Sequence, residues 1–157
     1  MVAALYALII PEGGSTMFRI LSVAVLSLSL FMLPNAVKAG GDDALGTWFT
    51  AKKDAKITIF KCEDKICGKI SWLKTNPDDL DTKNPDPARR NDKILGKIML
   101  WNFDFNGEKW ENGFIYDPDS GDTYKCIMWM EGSGVLMVKG YIGFSFIGRS
   151  ETWTKAE

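Results

Sequence analysis

Residues 96–130 read GKIMLWNFDFNGEKWENGFIYDPDSGDTYKCIMWM, and the punctuation of this stretch sets the fold. Asn106-Gly107 is a type I′ hairpin signal, because that turn needs positive φ at both central residues. Asp117-Pro118-Asp119-Ser120-Gly121 is turn chemistry throughout. Between these signals lie Gly96–Phe103, Glu108–Tyr116 and Thr123–Met130, each rich in β-branched and aromatic side chains. The stretch therefore predicts three consecutive strands folded back on one another.

The same pattern extends in both directions. Gly46–Ala51, Lys56–Cys62, Cys67–Leu73, Val135–Tyr141 and Phe146–Thr154 complete a set of eight predicted strands, and Gly132-Ser133-Gly134 is a further tight reversal. No stretch has convincing helical periodicity. Eight strands with short hairpins predict an all-β, single-domain, eight-stranded antiparallel up-and-down barrel, since closure removes the exposed edges of a meander. The interior of such a barrel is either filled by side chains or holds one small ligand. Met99-Leu100-Trp101 and Ile127 to Met130 interrupt the alternation. A strand apolar on both faces is covered outside or belongs to an interface, which hints at self-association or partner binding.

Upstream of the strands the chain changes character. Arg19 precedes an apolar run, Ile20 to Leu33, which Pro34-Asn35 breaks. Val37-Lys38-Ala39 then places small residues where a signal peptidase reads. Residues 1–39 are read as a leader with a secretory signal peptide. Translation is expected to start at Met17, because Glu12-Gly13-Gly14 can be encoded by a purine-rich stretch resembling a ribosome site. The run is short for a membrane span of about 20 residues. The expected mature chain, residues 40–157, is a periplasmic or secreted barrel, in contact with a membrane only during export.

Composition narrows the chemistry. The chain has 19 basic and 20 acidic residues and a net charge of −1. Its lysines are scattered and only Arg89 and Arg90 are adjacent, so no basic face for nucleic acid is expected. There is no histidine. That removes the usual general base, the Ser-His-Asp and Cys-His pairings, and most zinc and copper sites. No cofactor or metal site is expected. Asp117, Asp119, Gly121 and Asp122 lack the spacing and closing Glu of a calcium loop.

The three cysteines are Cys62, Cys67 and Cys126. Cys62 and Cys67 flank a short segment; if it is a hairpin loop they face each other across it, within disulfide reach. A redox pair would instead show Cys-x-x-Cys at a helix start. Cys126 reads as a buried thiol, pairing between molecules being the alternative.

The long connection, Lys74 to Lys93, carries Asn76-Pro77, Asn84-Pro85 and Asp86-Pro87 with Asp78, Asp79 and Asp81. Loops of this length are often lids or binding segments; the alternative is a plain surface excursion. Within it Arg89 can clamp a carboxylate or phosphate through paired hydrogen bonds. Alternatively Asp86, Arg89 and Arg90 form an internal salt bridge that fastens the loop across the barrel mouth. Trp72, Trp101, Trp110, Tyr116 and Tyr124, with Met99, Met128, Met130 and Met137, either line a pocket or fill the core.

Together these motifs resemble the DUF2147 family of small exported bacterial proteins. The resemblance runs through Gly46-Thr47-Trp48, Cys62 to Ile70, Trp72-Leu73 and Asp81. It continues through Asn84-Pro85-Asp86, Arg89, Leu95-Gly96, Trp110, Gly113 and Ile115 to Pro118. It closes with Gly121, Thr123-Tyr124, Gly140 to Gly143, Gly148-Arg149 and Trp153. It implies a lipocalin-like, calycin-type barrel and carries no assigned catalytic or binding residues. In that fold the Gly-x-Trp tryptophan packs under an arginine of the last strand, here Trp48 under Arg149, as a structural plug.

The leading expectation is a binding module for a small apolar or amphipathic ligand. Its candidate contacts are Trp72, Trp101, Tyr116, Tyr124, Met128, Asp86 and Arg89. The alternative is a solid barrel acting through its surface in the cell envelope. An enzyme using Asp86, Glu111, Asp117 or Tyr116 is the least supported reading, because nothing in the sequence places two carboxylates together.

Overall fold

A computed structural model describes residues 40–156. The leader reading, with its cleavage site, lies outside the described residues. Eight strands close in chain order into an antiparallel barrel, β1 pairing with both β2 and β8. They are β1 Gly46–Phe49, β2 Ala55–Cys62, β3 Lys65–Leu73, β4 Ile98–Phe105, β5 Lys109–Asp117, β6 Asp122–Met130, β7 Val135–Tyr141 and β8 Gly148–Lys155. The up-and-down order puts the β1–β2, β3–β4, β5–β6 and β7–β8 connections at one end and the remaining turns at the other.

The alternation of the strands fills the interior. Trp48, Phe103, Trp110 and Trp153, with Ile57, Ile59, Leu100, Met128 and Leu136, are wholly buried there. The packing is close enough to require glycine on β5: a Cβ at Gly113 would lie 2.2 Å from the Phe103 ring. Met128, expected as a pocket wall, is a core side chain. Cys126 is buried beside it, and burial pushes its thiol up to about 12, so it stays protonated and inert at neutral pH.

Three expectations need correction. The β2–β3 turn is only Glu63-Asp64, so Cys62 pairs with Lys65 and Cys67 with Phe60. The cysteines are diagonal neighbours rather than directly opposed. They still form the expected disulfide, with Cα atoms 5.8 Å apart, and closing so short a loop contributes about 2 kcal/mol. The last strand begins at Gly148, not Phe146. Gly148 faces Tyr141 so closely that a Cβ there would lie 2.4 Å from the Gly140 carbonyl oxygen, and Phe146 and Ile147 fall in the β7–β8 connection.

The third concerns Trp48. Its ring is covered by Lys155, whose Nζ lies 5.4 Å from the ring centroid, and its indole N–H donates to the Ala44 carbonyl at 2.8 Å. Arg149 lies six residues away along β8, about 20 Å at ~3.3 Å per residue. It is exposed and pairs with Glu151 at 3.4 Å. The ladder explains the exchange, since Trp48 faces Lys155 while Arg149 faces Gly140.

Candidate functional site

The candidate site lies on the outside of the barrel. On β5, Gly113 and Ile115 point inward, so Phe114 and Tyr116 point outward. Phe114 stacks on Trp101 of β4, their ring centroids 5.7 Å apart. An outward tyrosine would ordinarily be wet, yet Tyr116 is buried, because the connection between β3 and β4 folds down over it. This loop packs on the barrel wall and not across its mouth.

What holds the loop down is a buried polar cluster. The Asp81 carboxylate is wholly buried. It accepts from the Tyr116 hydroxyl at 2.6 Å, the Asn84 Nδ2 at 2.6 Å and the Lys97 Nζ at 2.9 Å. Asn84 in turn accepts from the Asp86 backbone N–H at 3.0 Å. Asp86 caps a single 3-10 turn, Pro87–Arg89, by accepting from the Ala88 N–H at 3.0 Å. The Arg90 Nε donates to the Asn84 carbonyl at 2.9 Å. A buried carboxylate is tolerable only with such donors. The loop is therefore fastened by Asp81, Asn84, Lys97 and Tyr116, with Asp86 and Arg90 shaping it from within. Its far side lies against the β5–β6 turn, where a Cβ on Gly121 would meet the Lys83 carbonyl oxygen at 2.0 Å.

Burial works to raise the Asp81 pKa, but the hydrogen bonds from Asn84, Lys97 and Tyr116 and the charge of Lys97 hold it below its ordinary 3.8. Tyr116 is pushed up to about 12 by burial and by its bond to Asp81. The depressed carboxylate stabilises the docked loop above pH 3.8, and this contribution is lost as pH falls through its folded value. The raised phenol contributes below pH 10.0, and this is lost as pH rises through about 12. Absorbance titration at 295 nm is expected to show one tyrosine ionising near pH 12, and Asp81→Asn is expected to bring it down. Uniform ionisation near pH 10 would contradict the cluster.

Between the docked loop and the wall lies a cleft of about 350 Å³. Asn84, Pro85 and Arg89 form its loop side; Lys97, Ile98, Trp101, Tyr116 and Thr123 form its floor and far side. Arg89 is largely exposed, and Asp92 takes only its Nε, at 3.4 Å. Its terminal nitrogens make no hydrogen bond to the described residues, and Arg89 shares the cleft lining with the apolar side chains of Ile98 and Trp101. A second cleft, about 340 Å³, lies at the other end between Asp42, Lys61, Glu63, Asp64 and Lys65. Its cations are already engaged, Lys61 by Asp42 at 2.7 Å and Lys65 by Asp104.

The structure brings Trp101, Tyr116 and Arg89 together in the first cleft. Asp86 stands behind it as a cap. Tyr124 points to the barrel interior, its hydroxyl 3.3 Å from Asp122. Trp72 lines neither cleft; it lies on the outer face of β1–β3 against Phe49 and Lys56. Its parity predicts an inward side chain. A β-bulge opposite Lys56 and Ile57 inserts Ser71 and reverses the face. Lys97 was not among the expected site residues, and Asp81 was expected only as one of several loop aspartates. The signal available was Asp81-x-x-Asn84, the spacing of a turn closed by its own side chains. Among the described residues no three Cys, Asp or Glu side chains converge as metal ligands.

Comparison with known proteins agrees with this architecture. The family model described as "Uncharacterized protein conserved in bacteria (DUF2147)" matches residues 46–155. Among solved structures, protein HP1028 from Helicobacter pylori, described as belonging to the lipocalin family, superposes with a TM-score of 0.67 at 20% identity. The match covers 72% of this chain and 82% of that one. No curated protein matches the chain.

Proposed function

The chain belongs to the DUF2147 family, and from its outer cleft we propose that it is an exported protein that binds a small amphipathic molecule carrying an acidic group. The observation that carries this reading is the combination of Arg89 with Ile98 and Trp101 around about 350 Å³ of open space. Ligand sites usually have such a volume and such a lining, mostly apolar with a few placed polar groups. A planar guanidinium with free terminal nitrogens suits a carboxylate or phosphate. The indole and the isoleucine suit an alkyl or ring portion. The ligand lies outside the barrel in this reading, because the interior is occupied by Trp48, Phe103, Trp110 and Trp153.

The role is non-catalytic. Asp81, the carboxylate beneath the cleft, is held ionised by three donors, the opposite of what a general acid needs. Export is supported by the disulfide, which suits an oxidising compartment. Native mass spectrometry of protein released from cells without denaturation tests the proposal. An added mass that leaves on denaturation is expected, and Arg89→Ala and Trp101→Ala should each reduce it. An adduct untouched by both substitutions would move the ligand elsewhere and sink this reading.

A further inference from the structure

We propose that the β7–β8 connection, residues 142–147, is a docking tip that seats in the interfacial region of a lipid bilayer. Ile142, Phe144, Phe146 and Ile147 are 76%, 69%, 76% and 62% exposed. Four large apolar side chains within six residues, all turned to solvent, are not explained by core packing. Phe144 and Phe146 stack on each other, centroids 5.4 Å apart. The backbone is a formed turn, with the Ile147 N–H donating to the Phe144 carbonyl at 3.0 Å and Gly143 at φ 73°.

Shape, area and charge select the occupant. The tip is a convex hairpin end, not a groove. Its four side chains present on the order of 500 Å², taking ~150–200 Å² for a whole large side chain. A stable protein interface needs ~800 Å² from each partner, so a second copy seated on this tip alone falls short. A bilayer sets no such minimum, since a few apolar side chains can pass the headgroups while cations stay among them. Tyr141 to Ser150 contains no Asp or Glu. Lys139 and Arg149 stand at its base, and Arg149 neutralises Glu151. The neighbouring β1–β2 turn, at the same end of the barrel, adds exposed Lys52 and Lys53 against one exposed acid, Asp54, and so stays net positive. The β5–β6 turn on the other flank carries Asp119 and Asp122, so the tip is expected to enter tilted toward the lysine side.

Co-sedimentation with vesicles tests this, using phosphatidylethanolamine:phosphatidylglycerol 3:1 and, separately, phosphatidylcholine. The proteins compared are the wild type, Phe144→Ser/Phe146→Ser and Ile142→Ser/Ile147→Ser, all with the same N terminus verified by intact mass. These side chains bury nothing in the core, so thermal unfolding should be unchanged. Each pair should lower the wild-type partition coefficient at least tenfold. Stronger binding to the anionic vesicles supports the basic flank, and equal binding to both supports apolar insertion as the main term. The proposal is overturned if the wild type stays in solution at millimolar lipid or if the variants partition as it does. A dimer, seen by sedimentation velocity, that the serine variants dissolve would equally overturn it by making a second copy the occupant.

Discussion

Replacing Asp81 with alanine is expected to cost about 3–5 kcal/mol in the stability of the docked loop, the usual consequence of removing one partner of a buried ion pair. Lys97 would lose its close buried counter-ion, since Asp92, its other acidic partner among the described residues, stands 3.7 Å away and is half exposed. Tyr116 and Asn84 would lose their shared acceptor. Bringing in water offsets these losses only by lifting the loop. Hydrogen exchange should therefore accelerate first at the Asp81, Asn84 and Ile94 amides, whose acceptors lie within the loop, while the β2–β3 and β6–β7 ladders keep their protection. Asp81→Asn keeps an acceptor and should cost less. Protection factors that do not change in Asp81→Ala would show that the cluster does not hold the loop.

Trp48→Ala is expected to destabilise the whole barrel by about 3–5 kcal/mol, as large-to-small changes at buried tryptophans do, and to lower the melting temperature by on the order of 10–20 °C. Trp48 is fully buried, and its indole N–H fixes the Ala44 carbonyl ahead of β1. The neighbouring cation separates two accounts of this end of the barrel. Lys155→Ala should cost about 0.5–1 kcal/mol through the lost cation–π contact. Arg149→Ala should stay within about 0.5 kcal/mol, as exposed substitutions usually do. Comparable losses for Arg149→Ala and Trp48→Ala in thermal melts would restore the arginine plug that the Gly-x-Trp motif implied.

The barrel was legible because its information is local. Asn106-Gly107, Asp117 to Gly121 and Gly132 to Gly134 each carry the turn chemistry their reversals need. The β-branched and aromatic runs between those turns marked the strands, and the Cys62–Cys67 spacing allowed the bond that forms. What failed was non-local. Trp72 changed face because one residue bulges from β3, an insertion that no pattern in Cys67–Leu73 announces. Met128 and Arg89 were equally plausible as site residues until packing buried one in the core and left the other at a cleft. The Asp81 cluster depends on a loop returning to cover an outward tyrosine 35 residues later. The exposed Ile142 to Ile147 tip was read partly as strand, because apolar residues signal burial until the register shows them beyond the ladder.

The proposed function turns on one point, that a ligand binds in the wall cleft and not in the barrel interior. Backbone NMR during titration with decyl phosphate tests it most directly. Saturable shifts are expected at Ile98, Trp101 and Thr123 and at the Arg89 side chain, with Arg89→Ala weakening the midpoint at least tenfold. Absence of saturation, or shifts confined to interior positions such as Tyr124 and Met128, would contradict the account.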